Sequence, residues 1–95
     1  MSREELKQLQ SRREALEMEA DAIYSELTRP GANGAVPAGI KEPLVDAEGF
    51  PRGDVDIYRV RELRHRLSSI NVDHKEVMGK IEAGLHALHA DQPAT

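Results

Sequence analysis

Two stretches of coiled-coil spacing, divided by a segment rich in proline and glycine, leave this chain few ways to fold. In the first stretch, Leu6, Leu9, Leu16, Ala20, Ile23 and Leu27 fall on the a and d positions of a heptad frame, and Arg13 is the polar exception. In the second, Val60, Leu63, Leu67, Ile70, Val77, Ile81 and Leu88 keep the same rhythm, with His74 on an a position and Gly84 on a d position. Residues 30–53 between them hold four prolines and five glycines. An amphipathic helix cannot bury its own apolar stripe. Two of them joined by a loop do so most simply against each other, as an antiparallel hairpin. The predicted class is all-α: an antiparallel two-helix coiled-coil hairpin with a long, partly ordered connecting loop.

Local signals set the predicted boundaries. Ser2 followed three residues later by Glu5 reads as a capping box, so the first helix is predicted over 3–28. Pro30 disfavours helical geometry in Arg29 and ends it. The loop is predicted over 29–53. The second helix is predicted over 54–90, with Asp54 as N-cap and Asp56 in the first turn at the positive end of the helix dipole. Residues 91–95 read as a tail, and 1–95 as one small domain.

Charge supports the antiparallel direction. The second half of the first helix is acidic, at Glu14, Glu17, Glu19, Asp21 and Glu26. The first half of the second is basic, at Arg59, Arg61, Arg64 and Arg66, with Glu62 opposed. Four arginines near a helix N-terminus oppose the macrodipole unless acids lie alongside. The same register sets Leu27 against Val60, Ala20 against Leu67, and Arg13 against His74. Both polar interruptions then fall in one layer, with Asp73 or Glu17 available to the guanidinium. Such a layer costs stability and restricts sliding.

Composition narrows the function. Phe50, Tyr24 and Tyr58 are the only aromatic residues, too few for a three-layer enzyme core. The net charge of −4 gives no whole-molecule attraction to nucleic acid or an anionic membrane. Without cysteine there is no disulfide framework and no thiolate metal site. The charged start, Ser2-Arg3-Glu4-Glu5, does not read as a secretory signal, and no apolar run is long enough to suggest a membrane span. Glu82, His86 and His89 share a helix face, but histidines also suit the last turn of a helix as solvated groups. The carboxylates Asp46, Glu48, Asp54 and Asp56 lack the spacing of a calcium loop, and no nucleophile–base set accompanies them. No catalytic, cofactor or metal site is predicted.

The central loop remains as the place for function. Residues 31–39 are small and featureless and are expected to be mobile. Residues 40–52 carry Leu44, Val45 and Phe50, which are expected to plug the open end of the hairpin while the segment presents a fixed outer face. A short hairpin around Glu48-Gly49 fits the pattern. Phe50→Ala is expected to cost stability if the ring is buried.

The run Glu42-Pro43-Leu44-Val45-Asp46, then Gly49-Phe50-Pro51-Arg52, then Asp54-Val55-Asp56-Ile57-Tyr58 resembles the signature of the 26S proteasome regulatory-particle assembly chaperones, the non-ATPase regulatory subunit nine or proteasomal modulator family. The resemblance continues through Val60-Arg61, Arg64-His65, Asp73-His74-Lys75, Val77-Met78 and Leu85 to Ala90. It implies the helical N-terminal domain of a chaperone that also carries a PDZ domain, with no PDZ strands in these 95 residues. The implied partner is the C-terminal domain of one AAA ATPase subunit, of the Rpt-five type, in the cytoplasm and nucleus. The implied action is steric, delaying incorporation or docking on the core particle. On this reading the contact surface is expected at Asp46, Gly49, Pro51, Arg52, Asp56 and Tyr58, with Asp73 and Lys75 as a second patch. The chain is expected to be a monomer. A generic coiled-coil adaptor or homodimerisation module is the alternative.

Overall fold

The computed structural model describes residues 1–31 and 34–90. It contains two helices, α1 (Arg3–Thr28) and α2 (Ile57–Ala90), packed as a hairpin. The Ser2 hydroxyl accepts the Glu5 amide at 3.1 Å and opens α1. Arg29 turns extended ahead of Pro30 and closes it.

Ion pairs between the helices establish direction and register together. Arg59 grips Glu26 with two bonds of 3.2 Å, Arg66 grips Glu19, and Arg12 lies 3.9 Å from Asp73. One partner's number falls as the other's rises, so the helices are antiparallel. Each step is one heptad, and every partner sits on a flanking g position. The a and d stripes close between them. Leu16, Leu27 and Ile70 are almost wholly buried, with Leu67, Ile23 and Ile81 close behind. Burying such a side chain contributes about 1.5–3 kcal/mol.

Gly84 on its d position is buried because Met1 fills the space of its missing side chain: a Cβ there would lie 2.5 Å from the Met1 sulfur. The last turns of α2 continue past this contact. They carry the half-buried Leu88 and the exposed His86 and His89.

The predicted polar layer is built around Glu17. His74 Nε2 lies 3.0 Å from Glu17 Oε1, and Arg13 Nε lies 3.9 Å from the same oxygen. Arg13 Nε is buried with no hydrogen-bond partner, at a cost of about 1–3 kcal/mol. Replacing Arg13 and His74 together by Leu is therefore expected to raise stability by about 1–3 kcal/mol and to loosen register or oligomeric state. A urea melt with a light-scattering mass checks both. A double variant no more stable than the parent and strictly monomeric gives the layer another role.

The start of α2 differs from expectation. Asp56, not Asp54, is the N-cap. Its carboxylate accepts the Arg59 amide at 3.1 Å, and its carbonyl accepts the Val60 amide at 2.9 Å. Both aspartates have capping chemistry, but the Asp54 carboxylate is taken by Arg52 through two bonds of 3.0 and 2.8 Å. The helix consequently begins three residues later than predicted, at Ile57.

Candidate docking loop

The connecting loop docks along one flank of the hairpin, and its anchors differ from those expected. Ala38 and Gly39 are buried, and Ile40, Leu44 and Val55 pack partly against the core. Val45 and Phe50 do not plug the hairpin: they are 49% and 63% exposed. The docked segment thus begins inside the stretch expected to be mobile, while Ala32 and Asn33 of that stretch lie outside the described residues. The reason is steric. Small residues let the backbone itself approach α1, where the Gly39 amide donates to the Leu27 carbonyl at 2.8 Å and satisfies an otherwise orphaned helix end. Gly39 has φ +74, and the Glu42 carboxylate folds directly over it.

Arg64 of α2 holds this arrangement. Its guanidinium donates to three loop carbonyls: Ala38 at 2.9 Å, Gly39 at 3.1 Å and Glu42 at 2.9 Å. Arg59 and Arg66 face α1 across the g flank. Arg64, on an e position, faces the loop. The Glu42 carboxylate is held below the usual range by backbone amide donors, first its own and then that of Lys41, with the Arg64 charge adding to them. Hydrogen bonds from Arg66 and from Arg52 likewise depress Glu19 and Asp54.

These shifts have one sign. A carboxylate depressed on folding contributes stability above its unfolded pKa and loses it as pH falls through the folded value. The ordinary values are 4.5 for Glu and 3.8 for Asp. The melting temperature is therefore expected to be insensitive to these groups from pH 8 to about 5 and to fall below about pH 4. Thermal melts across that range check this, and a Glu42→Gln variant is expected to lose less on acidification than the parent.

Beyond Leu44 the chain forms the anticipated short hairpin. Val45 and Pro51 form an antiparallel bridge, the Asp46 amide donates to the Phe50 carbonyl at 2.8 Å, and the Arg52 amide donates to Leu44 at 3.0 Å. The Asp46 carboxylate ties the turn by accepting the Glu48 and Phe50 amides at 2.9 and 3.0 Å. Gly49 supplies the positive φ of +86 that the turn requires. The result is a fixed turn with its large side chains turned outward.

The expected contact residues divide accordingly. Gly49, Pro51 and Tyr58 are exposed, Pro51 and Tyr58 line one groove, and Tyr58 is 85% exposed. The carboxylates of Asp46 and Asp56 are engaged as turn tie and helix cap. Arg52 is turned inward, its side chain only 13% exposed, and also donates to the Val36 carbonyl at 2.8 Å. Asp73 and Lys75 are not brought to this surface. They sit fifteen and seventeen residues beyond Tyr58 on α2, more than about 20 Å along its axis. Because Phe50 is exposed, Phe50→Ala is now expected to move a urea midpoint by no more than about 0.5 kcal/mol in stability. A loss of several kcal/mol instead places the ring in a core.

Sequence reasoning passed over Lys41 and set Arg61 and Arg64, with Arg59 and Arg66, against the acids of α1, whereas Arg64 holds the loop. The signal was present in the heptad frame: Arg59 and Arg66 share the g flank with the acids of α1, whereas Arg61 and Arg64 point elsewhere. A groove enclosing about 610 Å³ runs between the loop and the first turns of α2, lined by Val45, Pro51, Ile57, Tyr58, Lys41 and Arg61 among others. Among the described residues no cluster of three or more His, Cys, Asp or Glu side chains is placed to hold a metal, and no helix is long and apolar enough to cross a membrane.

Residues 6–90 match the family model described as the Nas2 N-terminal domain. The chain is 42% identical over 86 residues to 26S proteasome non-ATPase regulatory subunit 9 of Homo sapiens, covering 90% of this chain and 36% of that protein. It is 46% identical over 57 residues to the Drosophila melanogaster protein of that name, covering 60% and 26%. It is 35% identical over 46 residues to the probable 26S proteasome regulatory subunit p27 of Schizosaccharomyces pombe, covering 48% and 22%. The chain spans about a third of the length of the first of these relatives. No solved structure matches it.

Proposed function

The chain belongs to the Nas2 N-terminal domain family, and from that premise we propose that it is a binding module of a 26S proteasome assembly chaperone. Its partner is the C-terminal domain of one AAA ATPase subunit of the proteasome base, of the Rpt-five type. A monomeric hairpin binds it one to one, without nucleotide and without catalysis, in the cytoplasm or nucleus. The action is steric: the bound hairpin occupies a surface that the ATPase subunit needs for a later contact, and so delays its incorporation or its docking on the core particle. The 95 residues act as one helical N-terminal domain.

The observation that carries the placement of the contact is the loop. It is rigidly tied by Arg64, Arg52 and Asp46, yet it leaves Val45, Phe50 and Tyr58 uncovered. Preorganised backbone with exposed large side chains reduces the ordering cost of binding, and aromatic residues are the common anchors of interfaces. The densest resemblance to the family lies in this same stretch. Isothermal titration of the chain against each proteasomal ATPase C-terminal domain tests the reading. One domain binding in a one-to-one ratio is the expected result; no binding to any of them favours a generic coiled-coil adaptor.

A further inference from the structure

The hairpin turn separates two surfaces of opposite charge. On one side Asp46 and Asp54 line a shallow groove in which the one cation, Arg52, is already paired with Asp54. On the other side lies the groove between the loop and α2. Its apolar surface includes Val45, Pro51, Ile57 and Tyr58, and its cations are Lys41, Arg61 and Arg64. Its one acidic residue, Glu42, has its carboxylate turned back onto backbone amides. Arg64 is occupied by the three loop carbonyls. Lys41 and Arg61 form no ion pair among the described residues. Arg61 stands one helical turn beyond Ile57 and Tyr58, and so on their side of α2.

We propose that this groove takes a short protein segment in which carboxylates flank large apolar side chains. The apolar side chains lie on Val45, Ile57 and Tyr58, and the carboxylates meet Lys41 and Arg61. The proposal rests on the loop face being the contact surface and names the chemistry of what lands there. Charge complementarity selects the occupant. Two cations beside an apolar floor match isolated carboxylates, whereas a polyanion such as nucleic acid would also meet the acidic side of the turn and a chain of net charge −4.

The test does not require the ATPase. The full chain, labelled with nitrogen-15, is titrated with two capped peptides, acetyl-Gly-Asp-Leu-Phe-Asp-Gly-amide and its analogue with Lys in place of both Asp. The acidic peptide is expected to give saturable amide shifts at Lys41, Val45, Tyr58 and Arg61, and to bind at least about tenfold more tightly than the lysine peptide. The pair Lys41→Glu and Arg61→Glu is expected to abolish or reverse that preference. Because neither side chain holds an ion pair among the described residues, helicity should remain that of the parent. Equal affinity for the two peptides, the absence of saturable shifts, or shifts confined to the Met78 and Leu85 face would each overturn the proposal. If the acidic preference holds while no ATPase C-terminal domain binds, the groove stands and the chaperone reading falls. If an ATPase domain binds and the peptides show no preference, the reverse holds.

Discussion

Arg64→Ala is expected to release the loop while leaving the two-helix seam closed. One guanidinium satisfies three carbonyls from residues 38, 39 and 42, and no other side chain among the described residues donates to them. The two partly buried carbonyls, of Ala38 and Gly39, left without a donor, together with the loss of charge-assisted bonds, predict a cost of about 2–4 kcal/mol. Hydrogen exchange is expected to accelerate at residues 38–44 but not along the Leu16, Leu27 and Ile70 seam. Arg64→Lys is expected to recover little, because one ammonium does not reproduce a planar fork of donors. A urea midpoint unchanged in Arg64→Ala would mean that the loop is held by its apolar contacts alone.

The second large effect concerns binding. Tyr58 lines the groove between the loop and α2 and is 85% exposed. On the proposed reading, Tyr58→Ala weakens binding to the ATPase C-terminal domain by about 2 kcal/mol or more, roughly thirtyfold, with an unchanged urea midpoint. Arg52→Ala is expected to behave differently. Arg52 connects Asp54 to the Val36 carbonyl, so its removal loosens the loop, and any loss of affinity should come with faster hydrogen exchange there. Titration calorimetry of the two variants beside exchange measurements separates an anchor from a brace. Equal affinity for parent and Tyr58→Ala moves the contact elsewhere, with Asp73 and Lys75 next in line.

The helices were legible because periodicity and charge act over many residues. Heptad stripes, acidic and basic halves and the Arg13–His74 layer all point to one register, and the Glu26–Arg59 and Glu19–Arg66 pairs follow from it. The loop was legible only in part. Its turn chemistry at Asp46 and Gly49 is local and readable. Its docking depends on backbone groups that sequence patterns do not weigh. Hydrophobicity singled out Val45 and Phe50 as anchors, whereas the buried anchors are Ala38 and Gly39, chosen by smallness and by carbonyls within reach of Arg64. The same blindness placed Arg52 on the outer face. An arginine two residues from an aspartate reads as exposed charge until the fork between them is seen. Asp54 was read as the cap and Asp56 as a first-turn acid; the Arg52 fork takes Asp54 and leaves the cap to Asp56.

On the proposed reading a rigid loop face, and not the coiled-coil flank, meets the ATPase. Amide shift mapping of the nitrogen-15-labelled chain against the ATPase C-terminal domain that it binds decides between the two faces. Perturbations are expected to concentrate at residues 41–61, led by Val45, Phe50, Tyr58 and Arg61, with the α1 seam unmoved. Perturbations centred on Asp73, Lys75 and Met78, with residues 41–58 silent, would contradict it.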